Sequence, residues 1–302
     1  RAAASSPHPT MPMAAAAFKG RISASAECIR GASLRGAMIK LVLIDVDGTL
    51  HGAGGVHPRV WEAADRALAR GLRLGICTGR SGVGAALDYA RRLDPNGLHI
   101  FDSGAVILAG TGDVHSAAGL PAELCARVLD LAVAEDLELE LYTAEGGYYV
   151  RRETPDIVQH ARMLRRTVET IDLARPPGTP VRVQFVARAG EAWTRARAAT
   201  LAMEGVDLHE AGAPTMPGLV FASVTARGVS KLTAAQRVAA HYGLDDLARV
   251  AMAGDGDNDL ELIRAAGLGI AMGNAPDHVR AAADRVVGRV EDAGLADALD
   301  AL

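Results

Sequence analysis

Short apolar runs alternate along the chain with stretches whose apolar positions recur every three or four residues. LVLI (41–44), LRLGIC (72–77) and LHIF (98–101) read as buried strands. Between the first two lies HPRVWEAADRALARG (57–71). Pro58 suits its first helical turn, Val60, Ala64 and Leu68 share a face, and Gly71 stops it. A second helix is expected after LRLGIC, with Ser81 as its N-cap and Leu87 on its apolar face. Near the other end RVAMA (249–253), LGIAM (268–272) and RVV (285–287) alternate with helical patterns again. Strand–helix alternation predicts an α/β unit, a parallel sheet covered on both faces.

The middle of the chain has a different rhythm. VHSA (114–117), ELELYTA (138–144), GYYVRR (147–152), VRVQFVA (181–187) and LVFASV (219–224) read as strands of an antiparallel sheet. PAELCARVLDLAVAED and EAWTRARAATLAME read as its helices. The expected organisation is an α+β insertion at 109–221 that splits an α/β core into 38–108 and 222–302. Pro/Gly clusters at 176–180 and 212–218 read as turns.

Composition narrows the function classes. No apolar run approaches the roughly 20 residues of a membrane helix. Cys28, Cys77 and Cys125 are too few and too scattered for a disulfide framework or a zinc site, which suits a reducing cytoplasm. Residues 1–37 hold Arg1, Lys19, Arg21, Arg30 and Arg35 against a single acid, Glu27. They read as a leader or a non-native extension without order of its own, a transit peptide being the alternative. The chain carries a net charge of −4, and residues 38–302, with 27 basic and 35 acidic residues, carry −8. An acidic body without a basic stripe argues against nucleic acid as a partner.

The chemistry gathers where strands end. LVLI runs into Asp45-Val46-Asp47-Gly48-Thr49, LGIC into Thr78-Gly79-Arg80, and VAMA into Gly254-Asp255-Gly256-Asp257-Asn258-Asp259. In open parallel sheets ligands bind beyond the carboxyl ends of strands, so Asp45, Asp47, Thr78 and Asp255 are expected in one crevice. Crowded carboxylates raise one another's pKa values, and a hard divalent cation relieves them. The cluster thus predicts Mg²⁺ with a phosphate beside it. Lys231 follows Ser230, a good N-cap, at the start of a further helix. A cation there opposes the helix dipole, and an anion beside it reverses that cost. With 29 arginines and only three lysines in the chain, a compact ammonium at this place looks selected.

DVDGT, CTGR, the VSK helix start and GDGDND, in that order, resemble the four motifs of the haloacid dehalogenase (HAD) superfamily, closest to its Cof-type (class IIB) phosphatases. The likeness covers 38–302, and GDGDNDLELIRAAGLGIAMGNA is its most specific part. The resemblance implies a Rossmann-like core with an inserted α+β cap, and a phosphatase acting on a small phosphorylated metabolite such as a sugar phosphate. It implies Asp45 as nucleophile forming an aspartyl-phosphate, and Asp47 as the acid and then the base, held in surroundings that favour its protonated form. Gly48 turns the chain beneath the phosphate. Thr78 and Gly79 hold the phosphoryl oxygens, and Lys231 neutralises them and orients Asp45. Mg²⁺ is expected on Asp45, the Asp47 carbonyl and Asp255, with Asn258 touching phosphate and Asp259 supporting the loop. Two stretches depart from the family pattern: Ser103-Gly104-Ala105 stands where Asn-Gly-Ala is usual, and RVEDAG (289–294) lacks the usual asparagine.

Other readings are weaker. Residues 255–259 fail as an EF-hand, lacking glycine at loop position six and glutamate at twelve. Gly267-Leu268-Gly269 precedes a strand where a dinucleotide loop follows one. His115, His160 and His209 read as surface or cap residues, and Cys77 and Cys125 as packing groups. Tyr148, Tyr149, Arg151 and Arg152 read as strand positions facing alternate sides. A phosphomutase or a phosphoacceptor signalling protein could use the same Asp and Mg²⁺ chemistry. No pattern in the chain fixes an oligomeric state.

Overall fold

The computed structural model describes residues 38–172, 175–212 and 216–302. The leader expected at 1–37 lies outside the described residues, as does part of the turn expected at 212–218. The chain begins β1 (Leu41–Ile44), α1 (Pro58–Ala69), β2 (Arg73–Ile76), α2 (Gly84–Leu93), β3 (Leu98–Phe101), β4 (Val106–Ala109) and β5 (Val114–Ala117). Next come α3 (Ala122–Ala134), β6 (Glu138–Thr143), β7 (Tyr148–Val150), α4 (Pro155–Leu164), β8 (Pro180–Arg188), α5 (Glu191–Leu201), β9 (Val206–Gly212) and β10 (Leu219–Ala226). The last are α6 (Lys231–His241), β11 (Val250–Gly254), α7 (Leu260–Ala265), β12 (Leu268–Ala271), α8 (Asp277–Arg280), β13 (Arg285–Val286) and α9 (Gly294–Asp300).

A parallel sheet runs β13-β12-β11-β1-β2. Alternation on its central strand divides the core. Leu41 and Leu43 pack with Ala234, Ala235 and Val238 of α6 on one face. Val42 and Ile44 pack with Val60 and Ala64 of α1 and Leu299 of α9 on the other. Ile44 lies opposite both Ile76 and Ala253, so β1, β2 and β11 end at the same edge. That alignment carries the residues after each strand into one place.

The other two sheets are antiparallel, ordered β7-β6-β8-β10-β9 and β3-β4-β5. One face of the first is covered by α3 and α5, through Val128, Leu129, Trp193 and Ala196. Val114–Ala117, grouped by its pattern with the middle strands, pairs instead with β4. A short antiparallel hairpin closes locally, so β5 follows its chain neighbour rather than a distant strand. Ser81 is not the N-cap of α2. That position is Val83, and the Ser81 hydroxyl donates to Asp102 Oδ1 at 2.8 Å.

Between β2 and β3 the ladder shrinks to a single bridge at Cys77 and Ile100, and a side chain completes it. His99 is fully buried. Its Nδ1 accepts the Ile76 N–H at 3.2 Å, so Nε2 carries the proton and donates to the Asp94 carbonyl at 2.9 Å. Replacing His99 with Leu leaves a buried N–H without its acceptor. That is expected to cost about 1–3 kcal/mol. A lower urea midpoint at unchanged slope is the reading that checks it.

Candidate active site

After Ile44 the chain leaves the strand in a tight turn. The N–H groups of Leu50 and His51 donate to the Val46 carbonyl, at 3.1 and 2.8 Å, and Gly48 takes a φ of +80°. A Cβ on Gly48 would lie 2.1 Å from Asp255 Oδ2, so only glycine lets this turn rest against the β11 loop. On the other side of Asp255, the Asp259 carboxylate folds back and accepts the N–H groups of Asp255 and Gly256, at 3.1 and 3.0 Å. Gly254 makes room for it, since a Cβ there would lie 2.6 Å from Asp259 Cγ.

Lys231 joins the two loops. It is the first residue of α6, whose N-cap Ser230 forms a reciprocal capping box with Thr233. Its ammonium is buried and donates to Asp45 Oδ1 and to Asp259 Oδ1, both at 2.6 Å. Carboxylate oxygens of Asp45, Asp255 and Asp259 lie within 4.8 Å of one another. Three carboxylates facing one ammonium leave a negative excess, and a hard divalent cation fits that donor set. Asp259 already spends Oδ1 on Lys231 and Oδ2 on two N–H groups, so Asp45 and Asp255 are the better placed ligands.

Burial raises the carboxyl group of Asp45 to about 7, against the pull of Lys231, and the neighbouring Asp259 and Asp255 push the same way. Burial alone would pull Lys231 down, but Asp45 and Asp259 outweigh it and hold the ammonium charged. Asp255 is also raised, first by burial and then by Asp259.

The remaining expected residues are placed as follows. Thr78 is buried, donates its N–H to Ile100 O at 3.0 Å, and accepts the Arg80 N–H on Oγ1 at 3.1 Å. Gly79 is next to it, with the Ser103 hydroxyl 3.3 Å from where its Cβ would be. Asn258 is exposed in a 3-10 turn spanning Asp257–Asp259. Asp47 departs from expectation. Its carboxylate is exposed rather than enclosed, and Arg80 holds both oxygens, Nε at 2.8 Å and Nη2 at 2.5 Å.

Residues given no role from the sequence complete the shell. Arg80 is one. Thr49 donates to Asp255 Oδ1 at 3.2 Å. Asn274 donates to the Gly48 carbonyl at 2.8 Å and to Asp255 Oδ2 at 3.0 Å, and accepts the Val290 N–H at 3.0 Å. All three stand inside the conspicuous runs DVDGT, CTGR and GIAMGNA, which were the available signal. The departing stretch RVEDAG therefore meets the site through the Val290 N–H. Away from the site, His115 and His209 are exposed, but His160 is buried with Nδ1 at 2.6 Å from Glu140 Oε1. Arg151 and Arg152 pair with Asp136, and Arg152 also with Glu138.

The model of the haloacid dehalogenase-like hydrolases matches residues 42–299. The chain belongs to that family. Among HAD solved structures, the phosphatase BT1666 from Bacteroides thetaiotaomicron is 28% identical with a TM-score of 0.74, covering 88% of this chain and 96% of that one. The HAD subclass IIB sugar phosphatase BT4131 shares the fold at 22% identity and a TM-score of 0.70, covering 87% and 98%. A phosphoglycolate phosphatase of Methanoculleus marisnigri is 25% identical over 82% of this chain and 90% of its own. This HAD hydrolase is a phosphatase by its relatives, and none of its described helices is long and apolar enough to cross a membrane.

The buried Asp45 gives a signed pH dependence. Between pH about 4 and about 7 the folded chain keeps a proton on Asp45 that the unfolded chain releases, so stability falls as pH rises through that window. Thermal melts of the metal-free protein are expected to show this fall, and Asp45→Asn to flatten it.

Proposed function

We propose that this HAD phosphatase hydrolyses phosphomonoesters of small cytoplasmic metabolites, sugar phosphates foremost, through an aspartyl-phosphate on Asp45 with Mg²⁺ as cofactor. The observation that carries the reading is the buried Lys231 ammonium shared by Asp45 and Asp259 at 2.6 Å, with Asp255 alongside. Asp45, the Asp47 carbonyl and Asp255 would hold Mg²⁺. When bound, the metal supplies positive charge against the phosphoryl oxygens and favours ionised Asp45.

The chain's own groups account for the rest. Lys231 fixes Oδ1 of Asp45, which leaves the carboxylate oriented for in-line attack on phosphorus. One bond forms from the Asp45 oxygen to phosphorus, the ester P–O bond breaks, and Asp47 gives the leaving alkoxide its proton. Asp47 then takes a proton from water as that water attacks the acyl phosphate, releasing inorganic phosphate and restoring Asp45. Since Arg80 engages both Asp47 oxygens, each proton transfer requires one of these bonds to give way. Thr78, Gly79 and Asn258 contact the phosphoryl group, and Asp259 keeps Lys231 and the β11 loop in place.

Residues 109–221 act as a cap that shields the intermediate and selects the leaving group, between core segments 38–108 and 222–302. Small metabolites suit the relatives, one of which is named for phosphoglycolate. A broad phosphomonoester panel assayed for phosphate release tests the reading. Mg²⁺-dependent turnover is expected, abolished by EDTA and by Asp45→Asn. Turnover retained in the variant would sink the mechanism.

Asn274 gives a separate prediction. It holds Asp255 and the Gly48 carbonyl together, so Asn274→Ala is expected to weaken Mg²⁺ by about 10–100-fold. Mg²⁺ titration of activity measures this, with the maximal rate less affected than the half-saturating concentration.

A further inference from the structure

One residue of the antiparallel sheet reaches the CTGR loop. Arg182 stands on β8 opposite Tyr142 of β6, and its guanidinium lies 3.9 Å from the Tyr142 ring centroid. The ring is itself held, because the Tyr142 hydroxyl donates to Glu140 Oε2 at 2.8 Å. From that platform Nη1 donates to the Gly79 carbonyl at 3.2 Å, and Nη2 lies 3.2 Å from Asp102 Oδ1.

The carbonyls of residues 78–80 are each claimed by a different donor. Thr78 O accepts the Ser103 N–H at 3.0 Å and Arg80 O accepts the Asp102 N–H at 2.9 Å. Both come from a turn in which Asp102 and Ser103 have positive φ values of 47° and 56°. The middle carbonyl, Gly79 O, is taken by Arg182 from 103 residues away. A peptide group is planar, so fixing its carbonyl fixes its N–H on the opposite side. In the Gly79–Arg80 peptide that N–H is the one donating to Thr78 Oγ1.

We infer that Arg182 is a positioning residue, setting the Thr78 hydroxyl for the phosphoryl group through the Gly79–Arg80 peptide. The inference rests on the reading above that Thr78 contacts phosphate. Arginine is required by the geometry, since a planar fork stacks on Tyr142 while serving two acceptors, and a lysine ammonium does not. The leaving-group side of the enzyme is thereby tied to the phosphate side by one side chain.

A double-mutant cycle tests it, with p-nitrophenyl phosphate and saturating Mg²⁺. Arg182→Gln is expected to lower kcat/KM at least tenfold in the wild-type background, but less than threefold in Thr78→Ala, where no hydroxyl remains to be positioned. Losses that multiply across the two backgrounds would mean a structural role and overturn the inference. If Thr78→Ala by itself leaves kcat/KM unchanged, the phosphate-loop reading falls, and the inference with it. Should Arg182→Gln fail to fold because Asp102 is left buried without its cation, Arg182→Lys is read in the same cycle against the same two thresholds.

Discussion

Everything at the strand ends depends on one ammonium shared by two buried carboxylates. Taking Lys231, Asp45 and Asp259 out of water is costly, and only good geometry with every polar atom engaged recovers it. Asp259 meets that condition by serving three donors at once: Lys231 and the N–H groups of Asp255 and Gly256. Lys231 also stands at a helix N-terminus, where a positive charge is unwelcome. Its two carboxylate partners offset that field, and Ser230 and Thr233 satisfy the first turn. The negative excess left over is what suits the place to a cation.

Sheet register delivers these groups. Because β1, β2 and β11 are parallel and finish level, the loops that follow them meet without long excursions. The loops are then fitted by close approach. Gly48 rests on the Asp255 carboxylate and Gly254 on that of Asp259, while Gly104, at a φ of +106°, lies against the Ser230 carbonyl. A side chain at any of these positions would push Lys231 or Asp255 away from its partners.

The antiparallel sheet has an apolar face toward α3 and α5 and a second face rich in polar groups. There Glu140 is fully buried, and Tyr142, Tyr148, His160 and Gln184 surround its two oxygens at 2.6–2.8 Å. Such a hub is stable because no oxygen is left unpaired, and it fixes the rotamers of both tyrosines. Tyr142 in turn orients Arg182, and Arg182 ends on the Gly79 carbonyl. A contact of the chemical loop is thus settled by a carboxylate on a different sheet.

Periodicity of apolar residues was enough to determine the parallel sheet apart from β3, which pairs antiparallel with β4, and most of the helices and of the antiparallel middle, where β9 and α4 went unread, because burial on two faces and on one face leave different patterns. Strand-end runs were enough to nominate Asp45, Asp47, Thr78 and Asp255, and the capped helix start after Ser230 to nominate Lys231, whereas Asp259 came only through the family resemblance. Tertiary structure alone decided the pairing of β5 with β4, the Ser81 hydroxyl on Asp102, the exposure of Asp47 under Arg80, and the burial of His160 against Glu140. It also decided that Asn274, Thr49 and Arg182 reach the site. Each depends on a hydrogen bond between residues brought together by folding, and a linear pattern records which side chains can donate or accept but not which of them will meet.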